Sequence, residues 1–106
     1  YILDEKTDTL VLGPFQGLPA CIRIQNGKGV CGTSVSLKKT LNIENVHNFE
    51  GHIACDSKSN SEIVIPIFKN EKLFGVLDID SPIFNRFSKE EQTYLEAFVK
   101  QLETHI

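Results

Sequence analysis

Three cysteines are the residues of this sequence most suited to chemistry: Cys21, Cys31 and Cys55. An odd and low number argues against a secreted disulfide scaffold, and the separations do not match the short C-x-x-C pairs of structural zinc sites. No secretory signal opens the chain, so a reducing cytoplasm is the predicted compartment. In that compartment a cysteine thiol either packs in the hydrophobic core or has a catalytic or redox role, and the neighbouring residues indicate which of these applies.

Glycine-rich segments surround the first two cysteines. GPFQG over Gly13–Gly17 precedes Cys21, and GKGVCG covers Gly27–Gly32. Glycines let the backbone approach a ligand closely. A helix beginning at Gly29 or Val30 would offer free N–H groups to a carboxylate or phosphate and would lower the pKa of Cys31 towards the thiolate. The alternative is a glycine-rich turn that encloses a buried thiol.

The third cysteine lies in the polar stretch GHIACD over Gly51–Asp56. A cysteine in a polar loop is less typical of core filler than one in a strand. His52 and Asp56 are near enough to influence its ionisation, with opposite signs. A surface loop with an incidental thiol is an equally good interpretation of this segment alone.

Three acidic residues lie near the ends of two apolar strands. Asp78 and Asp80 share one face of a predicted strand, and Glu62 begins the strand before it. Acids on a covered face are costly unless they are paired or line a wet pocket, although a strand that emerges into solvent would also explain them. Crowded carboxylates raise one another's pKa, which suits an acid catalyst, and they would also bind a ligand ammonium.

Whether Glu62 joins the aspartates depends on the register of the hairpin. We predict that Glu62 lies opposite Asp80 and Lys69 opposite Leu73, with a three-residue loop over 70–72 that contains a left-handed residue. A one-residue slip would send Glu62 to the other face unless a bulge corrected it. We therefore expect one pocket for the three acids.

The remaining sequence predicts an α+β domain, an antiparallel sheet with packed helices. Its strands are predicted near Tyr1–Leu3, Thr9–Leu12, Ala20–Ile24, Leu41–Val46, Glu62–Phe68 and Leu73–Asp80, and a short helix runs from Val30 to about Lys39. His47–Ser61 is predicted to be a long loop, of a length that is commonly functional. Ser88 and Glu91 form a capping box that opens a C-terminal helix, whose apolar stripe against the sheet comprises Leu95, Phe98, Val99, Leu102 and Ile106.

Composition narrows the classes of function. The 106 residues are 41% hydrophobic and 24% charged, with a net charge of −3, which is typical of one soluble globular domain. There is no cluster of basic charge for nucleic acid and no apolar run long enough to span a membrane. We expect neither nucleic acid nor membrane as a partner.

Four motifs together resemble one family, the free methionine-(R)-sulfoxide reductases, which are built on a GAF domain. They are GPFQG-LPAC, GKGVCG, GHIACDSKSNSEIVIPI and GVLDIDS, which end at Cys21, Gly32, Ile67 and Ser81. The resemblance covers essentially the whole chain with all three cysteines in register. The family also has a helix and a tryptophan-bearing strand upstream, whereas this chain has no tryptophan. We therefore expect residues 1–106 to be a single GAF domain that lacks its N-terminal part.

The resemblance implies reduction of free methionine (R)-sulfoxide to methionine, with no cofactor and no metal. It makes Cys55 the nucleophile and Cys21 the resolving cysteine, with which Cys55 forms a disulfide that thioredoxin reduces. Cys31 stays an alternative nucleophile or auxiliary thiol. Glu62, Asp78 and Asp80 would hold the substrate ammonium and supply a proton. The rival hypothesis is a GAF module that senses a small ligand or mediates dimerisation without catalysis; the oligomeric state is open, a homodimer being one candidate.

Overall fold

Six strands and two α-helices are present in the part of the chain that the structure describes. A computed structural model describes residues 1–18, 20–53, 55 and 58–106. The strands form one antiparallel sheet in the order β3-β2-β1-β6-β5-β4, which confirms the predicted α+β architecture. In chain order the elements are β1 (Ile2–Asp4), β2 (Thr9–Val11), β3 (Arg23–Gln25), α1 (Gly29–Leu37), β4 (Leu41–Ile43), a 3₁₀ helix (Val46–Asn48), β5 (Ser61–Lys69), β6 (Lys72–Ser81) and α2 (Lys89–Glu103).

The shorter elements differ from the sequence prediction mainly at their ends. The first hairpin is present, and Leu3 lies opposite Leu10. β3 begins three residues later than predicted, and β4 ends at Ile43 because Val46 belongs to the 3₁₀ helix. Helix α1 ends at Leu37, since Lys38 is left-handed with φ 55° and donates its N–H to the Ser34 carbonyl. Within the predicted loop His47–Ser61, residues 54, 56 and 57 lie outside the described residues.

The hairpin of β5 and β6 confirms the predicted register at the acidic end and corrects it at the turn. Glu62 lies opposite Asp80, as predicted. The pairing of Lys69 with Leu73 is wrong, because Lys69 lies opposite Lys72 and the loop has two residues instead of three. The register shifts between Ile67 and Phe68, where Phe74 is the extra residue on β6. This bulge restores the even register that puts Glu62 on the face of the aspartates.

Both faces of the long hairpin formed by β5 and β6 are covered. The sequence predicted this, because apolar residues occur at both odd and even positions of the two strands. Alternate residues of a strand point to opposite faces. On one face Val64 and Val76 pack with Leu10, Val30 and Val35, which is the side of α1. On the other face the core is formed by Ile63, Ile65, Ile67, Phe87 and Val99 on the side of α2. Glu62, Asp78 and Asp80 share the parity of Val64 and Val76, so they belong to the α1 side.

Helix α2 confirms the predicted capping box and corrects the apolar stripe. Ser88 Oγ accepts from the N–H of Glu91, and the Glu91 carboxylate accepts from the N–H of Ser88. Val99 is buried, and Leu95 and Leu102 pack on the same core. Phe98 is instead 56% exposed and Ile106 is 37% exposed, so these two residues do not join the stripe. Among the described residues, no helix is long and apolar enough to cross a membrane.

Candidate active site

The cysteine pair expected from the resemblance is bonded. Cys21 and Cys55 form a disulfide with a Cα–Cα distance of 5.2 Å, although 34 residues separate them. Cys21 precedes β3, and Cys55 belongs to the loop between the 3₁₀ helix and β5. The hydroxyl of Tyr1 donates to the carbonyl of Cys21 at 2.9 Å, which ties this bond to the start of the sheet. The pairing is therefore confirmed, while the catalytic roles of the two residues stay predictions.

Cys31 is a buried thiol and does not have the lowered pKa that one of the two alternatives required. Helix α1 does begin at Gly29, as one alternative required. However, Cys31 is only 4% exposed, and its thiol donates to Oε2 of Glu62 at 3.9 Å. Burial, followed by the charges of Asp78 and Glu62, raises the pKa of Cys31 well above its ordinary value. Of the two alternatives, the buried thiol is the one found, because desolvation and two carboxylates outweigh the helix N-terminus.

The three acids line one pocket but differ in exposure. Glu62 is 6% exposed, Asp78 is partly buried and Asp80 is exposed. Burial, followed by hydrogen bonding and charge repulsion from Asp78, raises the pKa of Glu62 well above its usual range, with Asp80 adding to the effect. Among the described residues, Oδ1 of Asp78 is a buried oxygen with no hydrogen-bond partner. Glu62 can therefore hold a proton at neutral pH, and Asp78 offers an acceptor to a ligand.

Two further side chains from the loop that carries Cys55 reach the acids. The Nε2 of His52 lies 3.9 Å from Oε1 of Glu62, and burial lowers the pKa of His52, which favours the neutral ring. The Oγ of Ser59 lies 3.4 Å from Oδ1 of Asp80 and donates to it. The sequence reasoning considered His52 only as a neighbour of Cys55 and did not find Ser59. Asp56, the other predicted influence on Cys55, lies outside the described residues.

The pocket is completed by the N-terminus of α1 and by the first glycine-rich segment. Lys28, Gly29 and Val30 line it, as do the described residues of the segment Gly13–Gly17 and the half-cystine Cys55. Gly32 has a different reason for being glycine. A Cβ at Gly32 would lie 2.5 Å from the carbonyl oxygen of Gln25, so this residue lets α1 pack against the turn after β3. Only part of the second glycine-rich segment therefore faces the pocket.

Cys31, Glu62 and Asp78 are also the described residues that could hold a metal ion. Each offers one ligand atom, and these atoms lie within 4.8 Å of one another. A thiolate and two carboxylates are ligands that zinc accepts. The thiol of Cys31 also contacts the carboxyl of Glu62, and the pKa values of both groups are raised. Protons can therefore neutralise this cluster.

The model of the GAF domain family matches residues 2–106. The chain belongs to the GAF domain family. This GAF domain is also 55% identical, over 103 residues, to the free methionine-R-sulfoxide reductase of Escherichia coli, an alignment that covers 97% of the chain and 61% of the relative. The resemblance predicted from the four motifs is thereby confirmed.

Solved structures agree with the sequence comparison. The fRMsr of Staphylococcus aureus in its reduced form matches with a TM-score of 0.93 and 56% identity, over 98% of this chain and 66% of that one. The free methionine-R-sulfoxide reductase of Neisseria meningitidis in complex with its substrate matches with a TM-score of 0.96 and 43% identity, over 98% of this chain and 62% of that one. The GAF domain described here thus spans less than two thirds of the length of these relatives.

Proposed function

We propose that this GAF domain reduces free L-methionine (R)-S-oxide to L-methionine with its own thiols. The observation that carries the proposal is the Cys21–Cys55 disulfide beside a pocket that holds a protonated acid, Glu62. A thiol that attacks a sulfoxide needs an acid to protonate the oxygen and a second thiol to resolve the product. The pocket offers residues for each of these tasks.

The substrate's two charged groups have complementary partners. The α-ammonium would bind Asp78 and Asp80, whose carboxylates share a face of β6, and the unpartnered Oδ1 of Asp78 gains a donor in this way. The α-carboxylate would lie at the N-terminus of α1, where Gly29 and Val30 line the pocket. A peptide-bound methionine sulfoxide has neither free group, so the site would select the free amino acid.

The proposed reaction balances without a cofactor. The thiolate of Cys55 attacks the sulfoxide sulfur while Glu62 protonates the oxygen. The resulting hydroxyl passes to the Cys55 sulfur as the S–O bond of the substrate and the transient S–S bond break, which releases methionine and leaves a sulfenic acid on Cys55. The thiolate of Cys21 then attacks the sulfenic sulfur, and water leaves as the disulfide forms. A dithiol reductant such as thioredoxin would regenerate both thiols by disulfide exchange, which fits a reducing cytoplasm.

Mass spectrometry of the full-length protein after one turnover tests this proposal. The reduced protein is mixed with one equivalent of free methionine (R)-sulfoxide, and the cysteine pairs and the released methionine are determined. We expect methionine, a Cys21–Cys55 bridge and a free Cys31. Release of no methionine, with all three thiols intact, would favour the rival function of a ligand-sensing GAF module. A bridge between Cys21 and Cys31 would instead reassign the nucleophile.

A further inference from the structure

The loop that carries Cys55 is closed at its base. The chain leaves the 3₁₀ helix at Asn48 and enters β5 at Ser61, and the N–H of Val46 donates to the carbonyl of Asn60 at 3.0 Å. His52, Ile53, Cys55 and Ser59 of this loop line the pocket. The position of the loop base therefore affects four residues of the pocket wall.

Asn60 holds this base with both its backbone and its side chain. Its N–H donates to the carbonyl of Ser81 at 2.8 Å, and its Nδ2 donates to the carbonyl of Pro82 at 2.7 Å. Its Oδ1 lies 2.8 Å from Nε2 of His47. The carbonyl of Pro82 can only accept, so the amide orientation is fixed and Nε2 of His47 must be the donor to Oδ1. One residue thus joins the 3₁₀ helix, the start of β5 and the end of β6.

Two of these segments, the start of β5 and the end of β6, contain or adjoin acids of the proposed chemistry, and the 3₁₀ helix precedes the loop that carries Cys55. Ser59 and Asp80, which contact each other, are the chain neighbours of Asn60 and of Ser81. Glu62 follows Asn60 by two residues on β5. We propose that Asn60 is a positioning residue: its side chain fixes the base of the loop so that Cys55 reaches first the sulfoxide and then Cys21. The sulfoxide part rests on the proposed function, whereas the approach of Cys55 to Cys21 does not.

The chain offers a matched control. Asn42 on β4 has the same side chain and similar burial, and its Nδ2 donates to the carbonyl of Phe87 at 2.9 Å and to Oε1 of Gln92 at 3.1 Å. These bonds hold the start of α2, on the face of the sheet opposite the acids. Asn60→Ala and Asn42→Ala therefore each remove side-chain hydrogen bonds that join separate segments, but only the first disturbs the Cys55 loop.

The test measures how fast the reduced full-length protein forms the Cys21–Cys55 bridge after one equivalent of hydrogen peroxide. Peroxide oxidises Cys55 to the sulfenic acid and is itself reduced to water, after which Cys21 displaces a second water. We expect Asn60→Ala to slow bridge formation about 10- to 100-fold, the scale of a misplaced reacting group. Asn42→Ala keeps the wild-type rate, although both variants melt at lower temperature.

A second pair of variants changes His47, the exposed hydrogen-bond partner of the Asn60 side chain. His47→Gln keeps an N–H donor near the position of Nε2 and retains the wild-type rate, whereas His47→Leu removes the donor and slows bridge formation. Equal slowing by Asn60→Ala and Asn42→Ala, or a wild-type rate in both Asn60→Ala and His47→Leu, would overturn the proposal. The peroxide reaction needs no sulfoxide, so a protein without reductase activity would refute the proposed function and leave this result unchanged.

Discussion

The thiol of Cys31 lies 3.9 Å from Oε2 of Glu62 in the interior of the protein. Cys55, in contrast, forms a disulfide with Cys21 next to the pocket. Burial and the neighbouring carboxylates favour the protonated form of Cys31. The thiolate is the nucleophilic form of cysteine. We therefore propose Cys55, and not Cys31, as the nucleophile.

Single-turnover experiments on the cysteine variants test this assignment. Cys55→Ser should release no methionine, because no thiol attacks the sulfoxide. Cys21→Ser should release about one methionine per protein and then stop as the sulfenic acid, which a sulfenic-acid probe detects by mass. Cys31→Ser should retain the first turnover. A burst in Cys55→Ser that is absent from Cys31→Ser would assign the nucleophile to Cys31.

Glu62 should make the protein less stable as the pH rises. Its folded pKa is well above the ordinary value of about 4.3, so between the two pKa values the folded protein binds a proton that the unfolded chain has released. The free energy of unfolding then falls with rising pH, by up to about 1.4 kcal/mol per pH unit. Glu62→Gln is neutral in both states, so its stability relative to the wild type should increase from pH 5 to pH 9.

Denaturant midpoints measured across this pH range provide the test. Glu71→Gln, in the exposed turn of the same hairpin, is the control and should follow the wild-type curve. Parallel curves for Glu62→Gln and the wild type would show that the carboxyl is ionised in the folded protein.

Loss of the proton donor in Glu62→Gln should also lower the rate of methionine sulfoxide reduction by about 10²- to 10⁴-fold.

The turn between β5 and β6 has a strained residue that glycine should relieve. Asn70 and Glu71 have φ values of 53° and 66°, the left-handed pair of a type I′ turn, in which Asn-Gly is preferred. Glu71→Gly should raise the free energy of unfolding by about 0.5–1 kcal/mol, because the left-handed penalty exceeds the entropy cost of glycine. Thermal melts against Glu71→Ala, which keeps the strain, separate this effect from loss of the side chain. A lower melting temperature for the glycine variant would contradict the prediction.

The same hairpin shows what the sequence could predict and what it could not. The pairing of Glu62 with Asp80 was predictable because a strand covered on both faces alternates strictly and the acids need a common face. The length of the two-residue turn was not predictable from the sequence, because neither of its central residues is glycine. The bulge at Phe74 could not be located either, since it compensates for that turn and leaves no local pattern.

The burial of Cys31 and the exposure of Phe98 both depend on tertiary contacts that the sequence does not show. Proximity to a helix N-terminus is visible in the sequence, but the burial of Cys31 and its contact with Glu62, 31 residues away, are properties of the folded chain. Likewise, helical spacing put Phe98 in the apolar stripe, but only packing decides how wide a stripe the sheet covers. Local patterns therefore predicted the elements and the candidate residues, while the protonation states came from tertiary contacts.

Gly75 should tolerate no side chain, because the backbone of the adjacent strand β1 occupies the place that its Cβ would take. A Cβ there would lie 2.1 Å from the carbonyl oxygen of Tyr1 and 3.1 Å from Cα of Ile2, both backbone atoms. Gly75→Ala must therefore push β1 away from β6 and should lower the free energy of unfolding by about 1–3 kcal/mol, measured by urea denaturation. Gly13→Ala is the control, since its nearest contact is the flexible Cδ1 of Ile2 at an ordinary 3.4 Å. The Tyr1 hydroxyl also holds the carbonyl of Cys21, so displacement of β1 should slow formation of the Cys21–Cys55 bridge as well. Equal stabilities for the two alanine variants would show that β1 moves aside without cost.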